Sequence, residues 1–211
     1  MVFMKKVKTL RKFDRYDVLR VFFSIGKEGK VARQKLSKLT KIGEGSIRNI
    51  LRILSSRKLV IITQKGAELS SKGKDIFNRA AKLFTLPKKI KHDVFKDGFD
   101  TYASVVKKYE REKIKELYKA RDFAIRKGCN SAMVLVCNRN GSIKIPYVRK
   151  WNFNMLHDEL DVSFNQLIVL ASSKTRKTTE RGILSILEYL SEEIAALFKK
   201  ITGVTNAEEF T

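Results

Sequence analysis

Residues 31–77 read VARQKLSKLTKIGEGSIRNILRILSSRKLVIITQKGAELSSKGKDIF. Apolar residues recur at helical spacing up to residue 54, and a β-branched run of strand length occupies residues 59–63. Gly43 marks a tight turn between two helices, and residues 64–67 form the turn of a hairpin whose second strand is residues 68–70. Helical spacing returns over residues 71–83. The segment therefore predicts helix, turn, helix, hairpin and helix.

The helix over residues 44–54 has two different sides. At about 100° per residue, its apolar side chains fall within one arc, formed by Ile47, Ile50, Leu51 and Leu54. The opposite side carries Gly45, Arg48, Asn49 and Arg52. Arg and Asn pair with base edges and phosphates, so this side predicts contact with nucleic acid. An ordinary solvated face is the alternative, and on this helix alone it is equally well supported.

Two helices precede the one over residues 44–54. Apolar residues at helical spacing over 16–25 predict the first helix, which Gly26 is expected to end. The second begins near residue 31, with Leu36 and Leu39 on its apolar side and Lys35, Lys38 and Lys41 outside.

The order helix, helix, turn, helix, hairpin, helix resembles the winged helix-turn-helix domain of bacterial and archaeal transcription regulators. Three segments carry the resemblance, which covers residues 14–84: KLSKLTKIGEGSIRNIL (35–51), RKLVIITQKGAELS (57–70) and LSSKGKDIF (69–77). It implies that the helix after the turn enters the major groove, and that the hairpin touches the backbone or the minor groove. These roles fall on Ser46, Arg48, Asn49, Arg52 and Lys65. The full set predicted to bind DNA is Lys35, Lys38, Lys41, Gly45, Ser46, Arg48, Asn49, Arg52 and Lys65.

The net positive charge of the chain also favours a nucleic acid as partner. The 211 residues include 45 Lys or Arg and 22 Asp or Glu, a formal net charge of +23. Residues 1–90 hold 24 of the basic residues and 6 of the acidic ones. A localised positive field is typical of proteins that bind a polyanion, and double-stranded DNA is the predicted one. A membrane surface is less favoured, because the single Trp, Trp151, lies outside the basic part.

The rest of the chain predicts a second, α+β domain, with the boundary at Pro87, between residues 1–86 and 87–211. Its sheet has three or more strands, and two of its helices are long. Residues 99–127 are predicted to be a helix, which could contain a break and is ended by Gly128. The other predicted elements are strands over 132–137, 143–147 and 166–171, a hairpin turn at Asn140-Gly141, a short helix near 155–160 and a long helix over 178–198.

The junction between the last strand and the last helix is a candidate anion site. Unpaired N–H groups at a helix start favour negative charge. The speculative effector-binding residues are Ser172, Ser173, Lys174, Thr175 and Arg176. Simple capping of the helix by Thr178 or Thr179 is the better-supported alternative.

No catalytic or metal-binding motif is found in the sequence, so we predict no cofactor. Cys129 and Cys137 form no metal-ligand pattern and are expected to be buried thiols. The segment from His157 to Asp161 could supply acid–base groups, but an acidic surface turn is the simpler interpretation.

The sequence as a whole predicts a cytoplasmic, DNA-binding transcription regulator, and its Lys-rich composition favours an archaeal source. We expect a homodimer that pairs through the apolar sides of residues 99–127 and 178–199, and no association with membranes. Two alternatives stay open: an enzyme fused to a winged helix, and a basic protein associated with RNA or ribosomes.

Overall fold

Three helices and a hairpin begin the part of the chain that the computed structural model describes, which is residues 13–146, 148 and 151–204. Strands β1 and β2 are antiparallel, and Val31 adds an isolated bridge to Ala67 at the open edge of β2. These elements follow the predicted order, although β2 starts two residues earlier than expected. Their bounds are α1 (Arg15–Glu28), α2 (Arg33–Thr40), α3 (Glu44–Ser56), β1 (Val60–Thr63), β2 (Gly66–Leu69) and α4 (Ser71–Leu83).

Helix α1 does not end at Gly26, as the sequence analysis expected. It continues to Glu28, and Gly29, with a φ of 73°, ends it. A Cβ atom built on Gly26 would lie 2.2 Å from the ring of Phe77 on α4. Gly26 is therefore a packing position inside the helix, where only the absence of a side chain lets the ring approach.

A five-stranded antiparallel sheet follows, in the order β3-β4-β7-β5-β6. With two sheets and seven α-helices among the described residues, the fold is α+β. The remaining bounds are β3 (Lys88–Lys89), β4 (Thr101–Val106), α5 (Leu117–Arg126), β5 (Ser131–Cys137), β6 (Ile143–Lys144), β7 (Leu167–Ser172), α6 (Arg176–Leu190) and α7 (Glu192–Thr202). Short 3₁₀-helices span Arg111–Glu116 and Asn154–Asp158.

The helix predicted over residues 99–127 is wrong in its first half. Residues 101–106 form β4, which pairs along its whole length with β7, and all six are buried. A strand with both faces covered has no alternation of apolar and polar residues, so periodicity alone does not distinguish its sequence from that of a buried helix. Only residues 117–126 form the α-helix, after the 3₁₀-helix.

Two other predicted elements are shorter than expected. The helix over 178–198 is two helices, α6 and α7, because Ser191 leaves the helical conformation and its hydroxyl caps the N–H of Ile194. Strand β6 ends at Lys144, before Pro146, which has no N–H to donate to the sheet. Tyr147, the last residue of the predicted strand, lies outside the described residues.

Two apolar clusters cover the two faces of the sheet. Alternate residues of β7 point to opposite clusters: Leu167 and Val169 to the larger, Ile168 and Leu170 to the smaller. The larger cluster also contains the apolar sides of α1, α3, α4, α6 and α7. The residues before and after Pro87 therefore share one continuous core.

Candidate nucleic-acid interface

The outer side of α3 is the best candidate for contact with a nucleic acid. Its apolar residues Ile47, Ile50 and Leu54 are fully buried, which fixes the rotation of the helix. Arg48, Asn49 and Arg52 consequently face solvent, Gly45 is also exposed, and Ser46 is half-buried. The side chains of Arg48, Asn49 and Arg52 make no hydrogen bond or ion pair with any residue that the structure describes. They are available to an external partner.

The predicted lysines differ in availability. Lys38, Lys41 and Lys65 are exposed and have no ion-pair partner in the described part of the chain. Lys35 is also exposed, but its Nζ lies 2.7 Å from the carboxylate of Glu28. That hydrogen bond lowers the pKa of Glu28, which keeps the pair charged. Lys35 would have to give up this partner to reach a phosphate.

The segment that holds these residues is strongly positive. Residues 30–65 contain ten Lys or Arg and one acidic residue, Glu44. Glu44 begins α3 and lies 3.8 Å from the guanidinium of Arg33. An acid at this position suits the helix dipole and leaves the rest of the outer side without negative charge.

The hairpin has one feature that its sequence pattern does not indicate. Ile61 and Ile62 on β1 are 50% and 49% exposed. The β-branched run predicts only a strand, and the burial pattern of β1, with only Val60 buried, shows no alternation. Two large apolar side chains next to Lys65 add a contact surface of a different kind to the basic one.

The junction predicted to bind an effector is largely satisfied by its own hydrogen bonds. Helix α6 starts at Arg176, and the cap is Thr175, not Thr178 or Thr179, with its hydroxyl accepting from the N–H of Thr178 at 3.1 Å. The hydroxyl of Ser173 lies 2.8 Å from that of Thr179. Ser172 donates to the carboxylate of Asp97, whose negative charge opposes an incoming anion. Of the five predicted residues, the structure leaves Lys174 exposed and without a partner among the described side chains.

Arg176, the fifth residue, turns away from this loop. Its Nε lies 2.7 Å from a carboxylate oxygen of Glu180, one turn further along α6. Both residues belong to a group of ion pairs between α1 and α6, which includes Arg20 with Glu180 at 2.7 Å. The predicted set is therefore divided between the loop and the contact of the two helices.

Metal and membrane sites receive no support from the described residues. Among them, no three His, Cys, Asp or Glu side chains lie close enough to share a metal ion. Cys129 and Cys137 are buried free thiols, and burial raises the pKa of Cys129 to about 11. None of the described helices combines the length and apolar composition that a bilayer crossing requires.

Comparison with known proteins concerns mainly the second part of the chain. Residues 98–190, from three residues before β4 to the end of α6, match the family model described as "Domain of unknown function (DUF4443)". The chain is similar in structure to the hypothetical protein PH0730 from Pyrococcus horikoshii OT3, with a TM-score of 0.73 and 24% sequence identity. That similarity covers 90% of this chain and 100% of the other, and at this identity it concerns the fold alone. No curated protein matches the chain significantly.

Proposed function

We propose that residues 14–84 form a winged helix-turn-helix that binds duplex DNA, with α3 as the helix that enters the major groove. The observation that carries the proposal is the outer side of α3. Arg48, Asn49 and Arg52 are exposed there, without partners among the described residues, opposite a fully buried apolar side. A rigid helix that presents free guanidinium and amide groups suits the donor and acceptor pattern of base edges.

Phosphate contacts would come from the neighbouring elements. Helix α2 packs against α3 and carries Lys38, with Lys41 at its end, while Lys65 lies in the turn between β1 and β2. Contacts of this kind position a protein on the duplex without reading its sequence. Because each neutralised phosphate releases counterions, binding would weaken steeply as salt is added.

The sheet and its helices would serve as the regulatory and dimerisation part of a transcription regulator. Helix α1 connects the two parts, because it packs against α2 and α3 on one side and against α6 and α7 on the other. A change at the sheet could therefore reach α3 through packed helices rather than through a flexible linker.

The test is a competition between nucleic acids. Purified protein is titrated against a labelled DNA duplex by fluorescence anisotropy, with unlabelled DNA and RNA duplexes of the same sequence as competitors. The proposal expects DNA to compete better, because the major groove of A-form RNA is too narrow for a helix. Equal competition by the RNA duplex would instead favour an RNA-associated protein.

A salt series on matched variants adds the second arm. Lys38→Ala should reduce the slope of log K against log salt by about one. Lys115→Ala is the matched control, because Lys115 is also exposed and unpaired among the described residues. It lies in the 3₁₀-helix before α5, in the part of the chain that contains the five-stranded sheet, so the variant should leave the slope unchanged. If both variants keep the slope of the natural protein, Lys38 does not contact a phosphate.

A further inference from the structure

A small cleft of about 70 Å³, open to solvent, lies where α1, α6 and the connection after α4 meet. Helix α1 contributes a stripe at intervals of three and four residues, formed by Arg20, Phe23, Ser24 and Lys27. Leu86 and Pro87 form the second wall, and α6 closes the third side. The cleft thus touches both parts of the chain at the place where they join.

Arg20 provides the first sign of a ligand. The residue is only 5% exposed, and it lies in the wall of the cleft. Its Nε donates to Glu180 at 2.7 Å and its Nη1 to Asp17 at 3.3 Å, but its buried Nη2 has no partner among the described residues. An unpaired buried donor costs free energy, and an acceptor that reached it from the cleft would remove that cost.

Two further cations line the same cleft. Lys27 is exposed and has no ion-pair partner in the described part of the chain. Arg176 uses its Nε for Glu180, and half of its side chain remains exposed. Among the described residues, Glu180 is the single acid in the wall, and its two oxygens already accept from Arg20 and Arg176. The wall therefore keeps a surplus of positive charge next to one carboxylate.

The remaining wall is apolar. Phe23, Leu86, Pro87 and Leu184 face the same space as the cations. A phosphate ion would leave this surface unused, and its second negative charge would lie near Glu180. A carboxylate on a short apolar tail satisfies both kinds of wall.

We propose that this cleft binds a small organic monocarboxylate. Its carboxylate accepts from Arg20, Lys27 and Arg176, and its tail packs on Leu86, Pro87 and Leu184. The site differs from the loop at residues 172–175, because it is formed by α1 and α6 together. A ligand bound there strengthens the contact between α1, which packs against α3, and α6, which covers the sheet.

The proposal is tested by calorimetric titration of the full chain, without DNA, so that its outcome does not depend on the proposed function. The probes are butyrate, pentanoate and benzoate, with butyramide as the neutral match of butyrate and inorganic phosphate as the other anion. Saturable binding is expected for at least one carboxylate, and butyramide and phosphate are expected to bind more weakly.

A matched pair of variants locates the site. Lys27→Gln should weaken carboxylate binding about tenfold or more, since it removes one charged contact. Lys74→Gln removes an exposed lysine on α4, outside the cleft, and should bind as the natural protein does. Thermal unfolding without ligand checks that both variants fold. The proposal is overturned if no carboxylate binds, if butyramide or phosphate binds as tightly, or if Lys27→Gln leaves the affinity unchanged.

Discussion

The carboxylate of Asp97 connects three segments of the chain. It accepts hydrogen bonds from the Ser172 hydroxyl, from the N–H of Phe99 at 3.1 Å and from the Ser131 hydroxyl at 2.9 Å. Burial raises the pKa of Asp97, but these bonds outweigh it, so the pKa lies below its usual range. The ionised carboxylate is thus a structural group that holds the connection before β4 against the ends of β5 and β7.

The lowered pKa predicts a pH dependence of stability. A carboxylate whose pKa is lower in the folded state stabilises the protein above its unfolded pKa, about 3.9 for Asp, and loses this contribution as the pH falls through the folded value. At pH 7, Asp97→Asn should reduce the free energy of unfolding by about 1–3 kcal/mol. The difference from the natural protein should shrink as the pH falls below about 4.

Denaturant unfolding at pH 7 and at pH 3 measures this effect. Asp161→Asn is the control, because Asp161 is exposed and has no partner among the described residues. It should change stability little at either pH. A deficit in Asp97→Asn that is as large at pH 3 as at pH 7 would show that the charge of Asp97 is not what stabilises the fold.

Helices α1 and α6 are joined by buried charges as well as by apolar packing. Glu188 accepts from the Tyr16 hydroxyl at 2.8 Å and lies 2.7 Å from the guanidinium of Arg15. Arg15 is 4% exposed, and its Nε and Nη1 have no partner among the described residues. Burial, followed by the neighbouring Glu188, raises the pKa of Tyr16, which keeps its hydroxyl a donor. Glu188 is therefore the main counterion of a buried cation.

Removing that counterion should be costly. Glu188→Gln leaves Arg15 buried without a full negative charge, and we expect a loss of about 3–5 kcal/mol in the free energy of unfolding. Glu193→Gln is the matched control: its contacts with Arg79 at 4.0 Å and Lys108 at 3.8 Å are exposed, so about 0–1 kcal/mol is expected. Chemical denaturation of both variants is the measurement. Similar losses in the two would mean that the buried pair adds nothing.

The elements that the sequence predicts well are those with a clear period. In α3, the apolar arc of Ile47, Ile50, Leu51 and Leu54 is buried and the opposite side is exposed, as the angles predict. Helix α4 begins at Ser71 after the Ser70 cap, again close to expectation. Both cases rest on local information, namely one buried side and one capping residue.

The failures occur where distant contacts decide. Residues 101–106 become a strand because β7, more than sixty residues away, offers a full antiparallel partner. Glycine is typical of a helix end, but the contact with the ring of Phe77 determines the role of Gly26. The sequence does not predict the cleft at Arg20 either, because its walls come from three separate segments. Of the residues in that cleft, the sequence predicts a ligand contact only for Arg176, as part of the junction before α6.

The molecule as a whole has a single main core that includes both parts of the chain. Phe23 on α1, Phe84 after α4 and Phe198 on α7 meet edge to face, with ring centroids 5.7 to 6.2 Å apart. The orientation of α3 relative to the sheet is thus set by packing. This packing holds the proposed DNA-binding surface in a fixed orientation, which suits the positioning of groups against base edges.

A homodimer remains our prediction for the assembly, because two-fold DNA sites match two-fold proteins. The apolar side chains first expected to pair, such as Val105, Val106, Ile186 and Leu190, are instead buried in the chain's own core. Pairing would have to use another surface. One is the outer edge of residues 131–135 in β5, which no described strand covers and which lies beside Tyr118, 66% exposed.

Sedimentation equilibrium at tens of micromolar protein tests the assembly. We expect twice the chain mass of 24.3 kDa, with and without a DNA duplex. An unpaired strand edge can extend its sheet with a second copy, which gives the pairing a physical basis. A mass of one chain under both conditions would contradict the dimer, while leaving DNA binding by a monomer open.

The proposed interaction of α3 with DNA is tested by selection followed by affinity measurement. A random duplex library is enriched with the purified chain, and the dissociation constants of the selected site and of a shuffled site are then compared. Arg48→Ala and Asn49→Ala should each lose about 1–3 kcal/mol at the selected site and little at the shuffled one. Arg121→Ala, an exposed arginine on α5, should keep the preference of the natural protein. Failure to enrich any site, or an unchanged preference in both α3 variants, would contradict the proposed function.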